Sequence, residues 1–202
     1  MIIIQKSPPE IKRLYDSYYA YESPEIVQKK VQHQYQYDCF ELYRSLNAGS
    51  HTGNIFQHMN IGFDLPCNLV ASSNTKKVIV NKSFKVEIHL YRLRTQDKSK
   101  TEDILVEPYF PGFQTSLIDI YGILKERPGL KTSDSYRYST THTLRIMRHI
   151  PRRFHAVLPQ FFIDKDILLF DSFEAFYEAI HQLNESQLRT LFGAQIHFVK
   201  LV

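Results

Sequence analysis

The sequence predicts an α+β fold: one domain over residues 1–202, with a mostly antiparallel sheet and three or four helices. Three observations point there. Residues 31–39 and 84–93 alternate with period two, the pattern of half-buried strands. Asp171 with Glu174, and Asn184 with Gln187, are helix-capping signals near the C-terminal end. The composition suits one full-sized core, since 43% of the 202 residues are hydrophobic, and thirteen Tyr and fourteen Phe with no Trp favour sheet positions.

Ile2, Ile3 and Ile4 read as a short strand or an apolar anchor, and residues 1–30 as a helical or extended arm. Ser7 before Pro8 is a helix start, with proline at the first helical position. The β-formers from Tyr15 to Tyr21 predict that this helix is brief. Ser23, Pro24 and Glu25 repeat the start signal. Val31, His33, Tyr35, Tyr37 and Cys39 then share one face of a predicted strand, with Gln32, Gln34, Gln36 and Asp38 on the other. A helix running on from Pro24 is the alternative.

Gly49 and Gly53 place a loop over 47–54. Short strands are expected at 55–63 and 68–72, a turn at 72–75, and strands at 78–80 and 84–93. Residues 96–101 form a charged hairpin tip, and 104–109 return. A helix is predicted over 114–126, with Leu117, Ile120, Tyr121 and Leu124 on one stripe, stopped by Pro128 and Gly129. Residues 136–149 read as a long strand, followed by segments at 154–158 and 161–170. The capping box at Asp171 starts a helix with Phe173, Phe176, Tyr177, Ile180 and Leu183 on one face. A second helix runs from Asn184 to a stop at Gly193, and 195–202 closes as a strand.

Several function classes are disfavoured. The seven glycines are scattered, with no GxGxxG and no GxxxxGK[ST], which argues against a P-loop and the usual dinucleotide site. No GxSxG elbow is present. Cys39 and Cys67 lie far apart and match no disulfide framework, and His51 and His58 with Cys67 fit no zinc spacing. Asp64 with Glu87 distantly suggests a nuclease, but His89 stands where a lysine is needed. No cofactor, metal site or catalytic residue is assigned. No apolar run approaches the roughly 18–20 residues of a membrane span. The expected location is cytoplasmic or nuclear, or peripheral on a membrane.

The net charge is only +4, but the charge is local. Residues 76–100 carry eight lysines and arginines relieved by Glu87 and Asp97, the pattern of a solvated strand face. Residues 135–163 carry Arg137, Arg145, Arg148, Arg152 and Arg153 with His142, His149 and His155, and no acidic residue. A run of one sign asks for an anionic partner. Those five arginines are the predicted anion-binding residues, because guanidinium forks suit bidentate phosphate contacts. On a strand, Arg137, Arg145 and His149 face one way and His142 and Arg148 the other, with a kink at Pro151 displaying Arg152 and Arg153. Tyr136, Tyr138 and Phe154 are then placed to stack on bases or sit at a lipid interface.

Over residues 80–202 the order of elements resembles the rhabdovirus matrix proteins. The resemblance rests on the strand at 85–93, the helix at 114–126, the basic strands, the run from Ile150 to Phe154, the Asp171 capping box and the helix end at Leu191, Phe192 and Gly193. Two features depart from that family: no lysine-rich N-terminal arm, and no Pro-Pro-x-Tyr motif, since Glu10 and Ile11 follow Pro8 and Pro9. The resemblance implies a non-enzymatic structural or accessory protein that self-associates and contacts anionic membrane and ribonucleoprotein, within a host cell or virion. The alternatives are a cellular or ribosome-associated RNA-binding module, and a metal-dependent nuclease built on Asp64 and Glu87.

Overall fold

The computed structural model describes residues 1–21, 23–47, 67–80, 85–126, 140–163, 167–168 and 170–201, and its sheet is organised around the first strand. That strand, β1 (Ile2–Gln5), lies between β4 (Thr101–Val106) and β7 (His197–Lys200), parallel to both. Ile3 sits opposite Leu105 on one side and Phe198 on the other. Ile2, Ile3 and Ile4 are all fully buried. Successive side chains leave a strand on opposite faces, so three buried neighbours mean that both faces are covered; the uninterrupted isoleucine run is the signature of that position.

The main sheet runs β2-β3-β4-β1-β7, with β2 (Cys67–Val80) and β3 (Lys85–Thr95) completing it. β2, β3 and β4 are antiparallel, while β4, β1 and β7 are parallel. The sheet is therefore mixed rather than purely antiparallel. Hairpin signals announce the first half. The second half joins the two ends of the chain, and no local pattern reports a pairing of that range. β2 also continues through 72–75, where a turn is expected. The extra residues form an irregularity between the pairs Ala71–Tyr91 and Lys76–His89. A two-stranded hairpin, β5 (Phe162–Ile163) and β6 (Ile167–Leu168), lies apart from this sheet.

Among the described residues there are six α-helices where three or four are expected. Helix α1 (Pro8–Tyr19) is longer than its aromatics suggest; the Glu10 carboxylate accepts from Ser7 N at 2.8 Å and Ser7 Oγ at 2.6 Å. Helix α2 (Pro24–Asn47) replaces the strand predicted over 31–39. Its buried residues, Val27, Val31, Tyr35, Cys39, Leu42 and Leu46, recur every three or four positions, so the period-two pattern there is a local coincidence. Helix α3 (Leu117–Glu126) buries Leu117, Ile120 and Leu124, as expected.

Helix α4 (Thr140–Val157) replaces the strands predicted over 136–149 and 154–158; residues 136–139 lie outside the described residues. Ile150, Phe154 and Val157 are buried at helical spacing. Pro151 lies inside this helix, which runs on past it. Helix α5 (Phe173–His181) is capped by Ser172, not Asp171: Ser172 Oγ accepts from Ala175 N at 3.1 Å. Helix α6 (Glu185–Phe192) has the expected box, with Asn184 and Gln187 exchanging two 3.0 Å hydrogen bonds, and ends on Gly193 at φ 73°. The strand and loop expected over 48–66 fall outside the described residues.

Helix α2 packs on β2, β3 and β4, while α4 packs on α3 and α6. Between the helices lies an aromatic layer. Phe110 stacks on Phe192 at 4.5 Å between ring centroids, and Phe154 meets Phe176 at 5.4 Å. Gly112 brings the loop after β4 onto the end of α6. Its φ is +76°, and a Cβ there would stand 2.6 Å from the Phe192 carbonyl oxygen.

Candidate anion-binding surface

A helix distributes the α4 cations differently from a strand. At about 100° per residue, positions 145, 148, 149 and 152 share one face, and 142 and 153 border it. Strand geometry would have split 145 from 148. His149, Arg152 and Arg153 are exposed, whereas Ile150, Phe154 and Val157 behind them are buried. The helix carries no acidic residue along its length. Of the predicted anion-binding set, Arg145 and Arg148 take the phase of Arg152, Arg153 sits at the rim, and Arg137 lies outside the described residues.

Among the described residues, neither Arg152 nor Arg153 pairs with a carboxylate. The Arg153 guanidinium carbon lies 5.9 Å from the centroid of the Phe113 ring. The stacking role expected for Phe154 is overturned: its side chain is fully buried and packs on Phe113 and Phe176. Tyr136 and Tyr138 lie outside the described residues.

The 76–100 run behaves differently. Lys76 pairs with Glu87 at 3.1 Å, and Arg92 pairs with Asp103 and also reaches Thr75 Oγ1 at 2.6 Å. Lys77 is turned inward, donating to the carbonyls of Phe110 and Phe113 at 2.7 Å each, and burial pushes its pKa down to about 8. Lys77 is thus drawn into the fold, while Lys76, Lys85, Lys98 and Lys100 stay exposed.

The chemistry of a metal nuclease finds little support here. Glu87 is ion-paired to Lys76, Asp64 lies outside the described residues, and no group of three His, Cys, Asp or Glu could hold a metal among those described. Cys39 and Cys67 are buried and form no disulfide with each other, and burial pushes the Cys39 thiol up, away from the reactive thiolate.

One polar cluster escapes sequence reasoning altogether. Glu107 is buried at the end of β4, where its Oε2 accepts from Lys6 N at 2.9 Å and from the Tyr177 hydroxyl. Its Oε1 lies 2.7 Å from His181 Nε2, and His181 Nδ1 meets Gln5 Nε2 at 2.6 Å. Lys6 Nζ in turn pairs with buried Asp38 at 2.7 Å. Tyr177 and His181 border a cleft of about 510 Å³ that Lys6, Glu10 and Lys200 also line. His181 Nδ1 is taken by Gln5, while Nε2, although 2.7 Å from Glu107 Oε1, is buried and has no hydrogen-bond partner among the described residues. The arrangement ties β1 and β4 to α5. Nothing local in the sequence marks it, because its members come from positions 5, 6, 38, 107, 177 and 181.

Among the described residues no helix is long and apolar enough to cross a membrane. No family model matches the chain, and neither a curated protein nor a solved structure matches it.

Proposed function

We propose that this protein is a non-enzymatic structural or accessory protein of matrix type, which docks on an anionic surface through the exposed face of α4. One observation carries the reading: four basic positions, 145, 148, 149 and 152, at one helical phase with no acid in the helix. The buried backing of Ile150, Phe154 and Val157 favours electrostatic docking over insertion, since the apolar side of α4 is already committed to the core. The favoured partner is a bilayer rich in anionic headgroups, where each basic side chain near the surface contributes about 1 kcal/mol.

Ribonucleoprotein is the second reading. It is favoured by the arginine-rich character of the face, because arginine forks grip single phosphates in two places. The resemblance to matrix proteins allows for both partners and for self-association.

The test measures binding of the full chain to anionic vesicles, neutral vesicles and RNA side by side, with Arg148, Arg152 and Arg153 changed together to Glu. Binding to anionic vesicles that falls steeply with salt and disappears in the variant supports the reading. Unchanged vesicle binding in a folded variant removes it. Loss of RNA binding alone transfers the surface to the second reading.

A further inference from the structure

The outer face of α2 has a composition that neither the core nor the α4 surface explains. Ile26, Tyr37 and Phe40 are 44%, 55% and 45% exposed, and they are the large apolar side chains that the described residues leave open. Lys29, Lys30, His33 and Arg44 are exposed on the same helix. At about 100° per residue, all seven positions fall within an arc of roughly 100°. The opposite side of the helix is occupied by Val27, Val31, Tyr35, Cys39, Leu42 and Leu46, so this arc is what α2 offers to a partner.

We propose that this face binds single-stranded nucleic acid, with Tyr37 and Phe40 stacking on bases and Lys29 and Lys30 meeting phosphates. The inference stands on α2 and does not require the role given to α4.

The order of residues along the helix selects the occupant. From the N-terminal end it reads apolar Ile26, cationic Lys29 and Lys30, His33, aromatic Tyr37 and Phe40, then cationic Arg44. Charge and apolar surface therefore alternate along the axis at one azimuth. A bilayer needs the two separated around the helix, with apolar residues beneath and cations at the flanks. A nucleic-acid strand presents them in turn, base after phosphate. A second copy packed parallel would bring like charges together, whereas an antiparallel copy would set Lys29 and Lys30 against Phe40 and Glu41, so self-association is one of the outcomes tested below. Two acids of this helix flank the arc: Glu41, which pairs with Arg44 at 2.6 Å, and Glu25, which accepts from Ser23 Oγ at 2.5 Å.

The face is also held ready. Phe40 leans on Tyr91 at 5.8 Å between centroids, and Tyr91 on Tyr35 at 6.1 Å, so the exposed ring is supported from below. Lys30 Nζ donates to the Tyr21 hydroxyl, which fixes this cation at the edge of the ring.

The experiment measures anisotropy of labelled oligouridylate, oligothymidylate and an RNA duplex with the full-length chain. Tyr37→Ala is expected to weaken single-strand binding about tenfold, with Tyr37→Phe restoring it. Phe40→Leu, which keeps an apolar contact to Tyr91, should weaken it likewise. Lys29→Glu with Lys30→Glu should flatten the salt dependence. Duplex binding and binding to anionic vesicles should change little in Tyr37→Ala. No binding of either single strand by the wild type overturns the proposal, as does wild-type affinity in both the Tyr37→Ala and the charge-reversed variants. A Tyr37→Ala variant that instead loses vesicle binding or self-association overturns it in favour of those occupants. Glu variants of Arg152 and Arg153 run in parallel report on α4 separately, so either face can fail alone.

Discussion

Gln28 of helix α2 treats Glu87 of strand β3 as a neighbouring strand would: its amide oxygen accepts from Glu87 N at 2.8 Å and its amide nitrogen donates to Glu87 O. Gln32, one turn later, repeats the exchange with His89, at 2.8 Å and 3.3 Å. The Tyr35 hydroxyl then accepts from Tyr91 N at 2.7 Å and donates to Ile104 O at 3.0 Å. β4 reaches β3 only at Arg92, Leu93 and Arg94, which leaves the backbone at 87, 89 and 91 without a strand on that side. Side chains spaced four apart on a helix step along in the same direction as alternate residues of a strand, and here they complete the ladder.

Removing either amide should therefore expose a strand edge. Gln28→Ala leaves one backbone donor and one acceptor without their partners, at a cost of about 1–2 kcal/mol in a partly wet site. Gln28→Glu keeps the acceptor, loses the donor and places a charge beside the Glu87 carbonyl, so it should be no better than alanine. The Gln28→Ala, Gln32→Ala double variant should aggregate more readily, because an uncovered edge invites pairing. Urea titration and light scattering check the two effects.

A second stability prediction concerns Gly112. Its positive φ disfavours any side chain, and the nearest obstruction to a Cβ is the Phe192 carbonyl, a backbone atom that cannot swing aside. Gly112→Ala should lose about 1–3 kcal/mol from strain. Gly193 also has a positive φ, but a Cβ added there would meet nothing within 4 Å, so the same substitution should cost less. Equal losses at the two sites would show that conformation alone decides and that the close approach is irrelevant.

The α+β class was legible in the sequence, and so were the C-terminal helices, because their apolar stripes and the Asn184–Gln187 box agree, although the cap of the first lies one residue later than expected, at Ser172. Residues 31–39 misled for a definable reason. Gln32, Gln34, Gln36 and Asp38 alternate with apolar or aromatic neighbours over nine positions, and only a window reaching Leu46 reveals the true period. In 136–157 the β-branched and aromatic residues outweighed the helical spacing of Ile150, Phe154 and Val157 and the i, i+3, i+7 spacing of Arg145, Arg148 and Arg152. The charge itself was readable; its gathering onto one face required the helix. The Glu107 cluster and the pairing of β1 with β7 involve partners far apart in the chain, which no local pattern reports.

At Glu107 the cost of a change depends on what is left behind. Glu107→Ala leaves Lys6 N, the Tyr177 hydroxyl and His181 facing an empty buried site, and should lose about 3–5 kcal/mol. Tyr177→Phe removes one donor while its ring stays packed between Phe173 and His181, and should lose only about 1–2 kcal/mol. Combining Tyr177→Phe with Glu107→Gln should cost less than the sum of the two, as the residues share one network. Thermal unfolding of the three variants measures that coupling.

The pH dependence of stability should rise and then fall on the alkaline side. Lys77 titrates near pH 8 when folded and at 10.5 when unfolded, because burial opposes its charge. Between those values the unfolded chain holds a proton that the folded chain has released, so unfolding free energy grows with pH across that window. Tyr18, Tyr35 and Tyr177 act in the opposite sense. Burial pushes each well above 10, so beyond pH 10 the unfolded chain loses phenolic protons that the folded chain keeps, and stability declines. Lys77→Met should erase the rise and leave the decline. Urea midpoints compared between the wild type and this variant, from about pH 7 to about pH 11, isolate the lysine. A rise that survives in Lys77→Met would assign the effect to another group, and would mean that the two carbonyls of Phe110 and Phe113 hold the ammonium charged throughout.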